Sequence, residues 1–307
     1  MRPWKNWIRN STVLQESDVT VMNSRKEMKI SLIYFSFLVP SILLFLFAIG
    51  YPFLSGINIA FTDWDGISKT YGYVGLGNFK KLFIDKSILR SIKNTLIFAV
   101  GYTSINNVLA LALAVFLSKR IPGRNVVKTI FFIPMALSPV LAAFVWSFLD
   151  RNIMTSVFGT NSLLGGPKTV IAGIIIIALW NAVGSNLMIY LAGLANISRD
   201  YYEAAEIDGA GEWQVFRYIM LPLLGPSFTM CITLTLTTSL REFATVMAAT
   251  GGGPAKSSET VAIFIYQNLF SFQKAGYGQA VAILFMVILM LIGTTMSRFF
   301  RSREVEM

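Results

Sequence analysis

Six long apolar stretches alternate with shorter polar segments along this chain, at 32–57, 95–117, 126–148, 169–191, 219–247 and 277–299. Each is close to the roughly 20 residues that carry an α-helix through a hydrocarbon core. Inside lipid every backbone N–H and C=O needs an internal partner, and a helix supplies one within its own segment. The pattern therefore predicts an all-α fold: a polytopic membrane protein of six transmembrane helices. The third and fifth stretches contain Pro134, Pro139, Pro222 and Pro226. Membrane helices tolerate proline where neighbours re-satisfy the freed carbonyls. Polar residues also interrupt the fifth stretch.

The segment between the fourth and fifth stretches has a pattern of its own. It runs Tyr202-Glu203-Ala204-Ala205-Glu206-Ile207-Asp208-Gly209-Ala210-Gly211, then continues through Phe216, Ile219, Leu221-Pro222 and Pro226. Ser198 offers an N-cap, Glu203, Ala204 and Ala205 are good helix formers, and Gly209 and Gly211 are placed to end the helix. A short helix, a glycine elbow and a membrane helix would make a device for passing motion between a soluble partner and the bilayer. In it, Gly209 is expected to hold a backbone conformation that other residues resist.

Composition narrows the function. The chain has 307 residues, 54% hydrophobic, with mean hydropathy +0.61, too apolar for a soluble domain. The net charge of +10 raises the question of nucleic acid. Its placement argues for topology instead. Arg25, Lys26 and Lys29 precede the first stretch; Lys119, Arg120, Arg124 and Lys128 separate the second from the third; Arg298, Arg301 and Arg303 end the last. That positive-inside pattern puts both termini in the cytoplasm, with tails at 1–29 and 301–307 flanking a membrane domain at 30–300. The basic loop between Asp63 and Lys93 weakens the charge rule taken alone, while the even number of spans agrees with it. The polar first 29 residues do not resemble a cleaved signal peptide.

The chain contains no histidine, and one cysteine, Cys231, inside an apolar stretch. His/Cys metal sites, internal disulfides and histidine acid–base catalysis are thereby excluded. Gly251-Gly252-Gly253-Pro254-Ala255-Lys256-Ser257-Ser258 imitates a phosphate loop, but Ala255 stands where that loop needs glycine. No catalytic residue, metal site or bound cofactor is expected in this chain.

The order of Glu203, Ala204, Ala205, Asp208, Gly209, Ala210, Ile219, Leu221 and Pro222 resembles the EAA signature of the permeases of bacterial ABC importers. Phe61-Thr62-Asp63-Trp64, Gly75-Leu76-Gly77-Asn78-Phe79 and Thr250-Gly251-Gly252-Gly253-Pro254 resemble motifs of the carbohydrate branch. The likeness runs from about residue 30 to the C-terminus. It implies the type I importer permease core, of the larger-maltose-permease and glycerol-phosphate-permease type, without that maltose permease's extra spans and outer domain. It also implies a bacterial inner-membrane location and a set of partners: a second, unlike permease, two ATPase subunits carrying ATP and Mg, and an external sugar-binding protein. The EAA residues, in the connector at 198–218, become the expected contact with the ATPase. A membrane enzyme, or a channel or secondary carrier working without an ATPase, stays open as the alternative from the residues alone.

Polar residues within spans mark function by default. The fourth stretch carries Trp180, Asn181, Ser185 and Asn186; the fifth carries Thr235, Thr237, Thr238, Ser239, Arg241 and Glu242. On a continuous helix Thr235, Ser239 and Glu242 share one face at i, i+4 and i+7, and adjacent Arg241 points elsewhere. The resemblance places Thr235, Ser239 and Glu242, with Asn181, Ala182 and Ser185, at sugar-contacting positions. Two departures stand out: Glu242 replaces a neutral amide and Ser185 an aromatic. The competing expectation is that these hydroxyls only return hydrogen bonds to their own helices.

Overall fold

The computed structural model describes residues 34–301, except 120, 155, 157, 158, 160 and 161. The expected tail at 1–29 and residues 302–307 lie outside the described residues, as do the basic residues Arg25, Lys26, Lys29, Arg120 and Arg303.

The chain divides into two compact units near residue 58. The first holds most of one helix, α1 (Tyr34–Ala60). Pro52 cannot donate a helical hydrogen bond. The helix relaxes just before it into a π turn at Leu46–Gly50, closed by Tyr51 N–H on the Leu46 carbonyl.

The second unit contains α2 (Gly77–Ile84), α3 (Lys86–Ser118), α4 (Arg124–Ala136), α5 (Pro139–Ile153), α6 (Val170–Asn196), α7 (Arg199–Ile207), α8 (Glu212–Leu223), α9 (Gly225–Leu240), α10 (Ala244–Ala249), α11 (Val261–Ser271) and α12 (Ala275–Arg301). Among the described residues α1, α3, α6 and α12 are long and apolar enough to cross a membrane singly. Counting each of the bent pairs α4–α5 and α8–α9 as one span gives six.

Two predicted spans are thus not straight helices. The third breaks by 102° between α4 and α5. Ser138 is extended there, as a residue before proline prefers, and its hydroxyl caps α5 by accepting from Leu141 N–H at 3.2 Å. The fifth bends by 68° between α8 and α9, next to Pro222 and Pro226. It also stops early. A helix continuing to Met247 is not what forms: α9 ends at Leu240, Arg241 and Glu242 close tight turns onto the Thr238 and Ser239 carbonyls, and α10 begins separately.

Helices α3 and α6 pack closely along their length, and α9 crosses both. One core cluster gathers Phe98, Tyr102, Ala142, Ile174 and Val246. Another gathers Ala110, Leu117, Leu187, Tyr190 and Cys231. Small residues let the backbones approach, which matters in lipid, where helices gain little from hiding apolar surface. The tightest approach onto backbone in this region is at Gly184, where an added Cβ would stand 2.4 Å from the Phe131 carbonyl oxygen. We expect Gly184→Ala to force α4 off α6, costing about 1–3 kcal/mol. The measurement is the melting temperature of the solubilised protein; an unchanged value would mean that this crossing is not rigid.

The segment after α10 is glycine-rich in sequence, yet it is clamped onto α3. Asn94 donates to the Lys256 and Glu259 carbonyls at 3.1 and 3.2 Å, and Thr95 Oγ1 accepts from Val261 N–H at 2.9 Å. Glu259 is fully buried; its carboxylate accepts from Ser91 Oγ at 3.0 Å and meets Lys256 Nζ at 3.3 Å. Thr260 Oγ1 donates to the Glu242 carbonyl at 2.9 Å, tying this segment to the end of the fifth span.

Candidate functional site

The polar connector folds as a capped helix, an elbow and a second helix. Ser198 Oγ caps α7, accepting from Asp200 N–H at 3.3 Å. Glu203, Ala204 and Ala205 lie on α7, with the first two exposed and Ala205 buried. Ala210 N–H reaches the Ala205 carbonyl at 2.9 Å and Gly209 N–H the Glu206 carbonyl at 3.1 Å, a Schellman ending. It requires the left-handed backbone, and Gly209 supplies it at φ +70° with open space around it. Asp208 and Gly209 are both exposed. Gly211 does not end α7 as expected; it opens α8, where Gln214 Oε1 accepts from its N–H at 2.7 Å. Lys119, at the end of α3, bonds Glu212 at 2.7 Å. Ile207, 86% exposed, and Trp213, 71% exposed, leave apolar surface on this small polar loop.

The six residues singled out in the fourth and fifth stretches come together. Asn181, Ala182 and Ser185 of α6 face Thr235 and Ser239 of α9 and Glu242 beyond it, around one cleft of about 350 Å³. Glu242 reaches the cleft from a turn rather than a helix face. Its carboxylate accepts from Thr245 N–H at 2.7 Å, at the start of α10. The hydroxyls do return bonds to their own helix: Thr235 to the Cys231 carbonyl at 2.7 Å, Thr238 to Leu234 at 2.7 Å and Ser239 to Leu236 at 3.0 Å. They also line the cleft, so the two expectations for them coexist.

Helix α3 contributes to the same cleft, which the sequence did not lead one to expect. Phe98 and Tyr102 line the same cleft. Behind them Asn107 Oδ1 accepts from Tyr190 Oη at 2.8 Å and Asn186 Nδ2 at 3.3 Å, while its Nδ2 donates to Thr235 Oγ1 at 3.0 Å. Tyr102, Thr103, Asn106 and Asn107 are polar positions inside an apolar stretch, the same signal that drew attention to α6 and α9.

Arg241 turns away from the cleft. It lies with Thr237, Ala262, Phe285, Met286 and Met290 on a separate groove between α9, α11 and α12, and its Nε donates to the Thr237 carbonyl at 3.1 Å. No ion pair joins it to Glu242 among the described residues.

A family model described as "Binding-protein-dependent transport system inner membrane component" matches residues 106–304. The protein named "Probable starch degradation products transport system permease protein AmyD", of Thermoanaerobacterium thermosulfurigenes, is 33% identical over 89% of this chain and 96% of its own length. The multiple sugar-binding transport system permease protein MsmF of Streptococcus mutans is 27% identical over 88% of this chain and 96% of its own. Among solved structures, a chain of a bacterial ABC transporter that imports the acidic polysaccharide alginate superposes with TM-score 0.79 at 23% identity, covering 90% of this chain and 98% of that one. A bent-span helical core with an exposed two-helix connector, a match to the family model and such relatives lead to one assignment: the chain belongs to the family of inner-membrane permease components of binding-protein-dependent ABC importers.

Proposed function

We propose that this subunit passes a sugar or oligosaccharide inward through the cleft between α6 and α9 by alternating access. The observation that carries the reading is the convergence of Asn181, Ala182, Ser185, Thr235, Ser239 and Glu242 on one cleft. Hydroxyls, an amide and a carboxylate suit a cargo rich in hydroxyl groups. The named relatives, permeases for starch degradation products and for multiple sugars, support a carbohydrate cargo.

Glu203, Ala204, Ala205, Asp208 and Gly209 form the contact with a separate ATPase, which holds ATP and Mg. Two such ATPases, a second, unlike permease and an external sugar-binding protein complete the complex; a solved relative is described in complex with a periplasmic protein loaded with an alginate pentasaccharide. Both termini lie in the cytoplasm. Closure of the ATPases drags α7, and α8–α9 carries that movement to the cleft, since one continuous path of helix and bend joins Glu212 to Glu242.

The test is purification of the tagged chain from native membranes. A Walker-motif ATPase should co-purify, and binding protein loaded with sugar should stimulate ATP hydrolysis. Ala182→Trp, filling the cleft from a half-buried position, should lower sugar uptake at least roughly tenfold while the complex stays assembled. Sugar uptake by the chain alone in vesicles, with no ATPase present, would overturn the reading.

A further inference from the structure

The balance of donors and acceptors in the cleft, which rests on the reading of it as the cargo passage, goes further than a general affinity for sugar. Asn181 spends its amide hydrogens on the Pro134 and Leu137 carbonyls at 2.8 and 3.2 Å. Those partners accept only, which fixes the orientation and leaves Asn181 Oδ1 as the group with capacity to spare. Thr238 and Ser239 likewise give their hydrogens to backbone carbonyls and keep lone pairs. Asn186 donates to Asn107 Oδ1. Glu242 accepts from the Thr245 N–H at 2.7 Å and from the Thr245 hydroxyl as well, and its two carboxylate oxygens carry further lone pairs. Against these acceptors, Tyr102 Oη and Ser185 Oγ are the hydroxyls with a hydrogen to offer: Tyr102 Oη accepts from Asn106, and Ser185 makes only a long contact to Met135 Sδ at 3.7 Å. Among the described residues no lysine or arginine lines the cleft, and Arg241, next to Glu242 in sequence, faces the other groove.

We propose that this side of the passage is a charge filter, built of unspent acceptors around the Glu242 carboxylate, that favours amino sugars, accepts neutral oligosaccharides and turns away uronic acids and sugar phosphates. Hydroxyl and ammonium groups can donate to every member of the set. A carboxylate or phosphate brings more acceptors and a second negative charge into a site with no cation to receive it. Like charges brought together in a partly desolvated site discriminate strongly between otherwise similar ligands. Glu242 is therefore the specificity-determining residue.

The experiment uses the assembled transporter in nanodiscs, without the binding protein, so that the permease's own preference is read. Saturation-transfer NMR at millimolar sugar compares maltotriose, the glucosamine trisaccharide and the galacturonic acid trisaccharide. The glucosamine and neutral trisaccharides should give signals at least roughly tenfold stronger than the uronate. Glu242→Gln should bring the uronate close to the neutral sugar, and Glu242→Lys should reverse the ranking. Ala182→Trp should remove every signal. Uronate binding equal to that of the neutral sugar, or a ranking unchanged in both Glu242 variants while Ala182→Trp still removes the signals, overturns the filter and leaves the passage standing. Signals that Ala182→Trp leaves intact overturn the passage itself and the filter with it.

Discussion

Gly209→Val will uncouple the transporter: the complex should form and insert, and sugar uptake should fall by about tenfold or more. The residue sits at φ +70°, the left-handed position of the Schellman ending of α7. An L-residue forced there costs roughly 1–2 kcal/mol, and a β-branched side chain is among the worst. Each 1.4 kcal/mol or so is about tenfold in an equilibrium, so the elbow will abandon its angle to escape the strain. Nothing else resists the substitution, because the space around Gly209 is open. Steric clash therefore cannot explain a loss. The control follows from the same fact: asparagine tolerates the left-handed region, so Gly209→Asn should keep most uptake. Uptake and co-purification of the ATPase are measured for both variants. If valine and asparagine behave alike, the backbone conformation is not what transmits motion.

Asn107→Leu should lower stability more than any substitution of the cleft hydroxyls. One side chain serves Tyr190, Asn186 and Thr235, on two other helices. Leucine fills similar space but takes the acceptor from Tyr190 and Asn186 and a donor from Thr235, in the middle of an apolar core, while Thr235 keeps its bond to the Cys231 carbonyl. Hydrogen bonds between helices in membranes are worth about 0.6–1.7 kcal/mol each, so the melting temperature should fall by several degrees. Asn106 is the comparison. It is also buried, but among the described residues it makes one bond, to Tyr102 Oη, and its Oδ1 has no hydrogen-bond partner. Asn106→Leu should therefore cost less. Equal losses from the two changes would show that the network around Asn107 contributes nothing beyond packing.

Much of the fold was legible because lipid enforces one rule, apolar length, and α1, α3, α6 and α12 obey it in sequence as in structure. The breaks were legible only as prolines. Pro134, Pro139, Pro222 and Pro226 announced irregularity, but a proline in a membrane helix kinks or terminates it according to what its neighbours offer the freed carbonyls. The stop after Leu240 had no such marker. Arg241 and Glu242 are ordinary helix formers, and the turn there depends on Thr260 reaching the Glu242 carbonyl from a segment far along the chain. The connector was legible in detail, since caps and glycine elbows are local: Ser198 and Gly209 act where expected, and Gly211 opens the next helix rather than closing the last. The cleft was half legible. Residues of α6 and α9 stood out as costly polar groups, but Thr235, Ser239 and Glu242 were grouped by a helical periodicity that fails before Glu242. They meet nonetheless, because the turn at 241–243 swings the carboxylate back over the end of α9. The share of α3 was not legible because Tyr102, Thr103, Asn106 and Asn107 are scattered through an apolar stretch, and which of them face the cleft is set by packing against α6 and α9.

That turn has a consequence for how such a protein can change. Arg241, Glu242 and Phe243 lie between two helices and belong to neither, so helix propensity places no constraint on them. One residue of the three faces the cleft, and its neighbour faces a different groove. The lining of the cleft can therefore be changed in this linker by single substitutions, with the helical scaffold and the connector on the α7 side left untouched. A lineage, or a designer, altering the polarity of that cleft has a short cassette in which to do it.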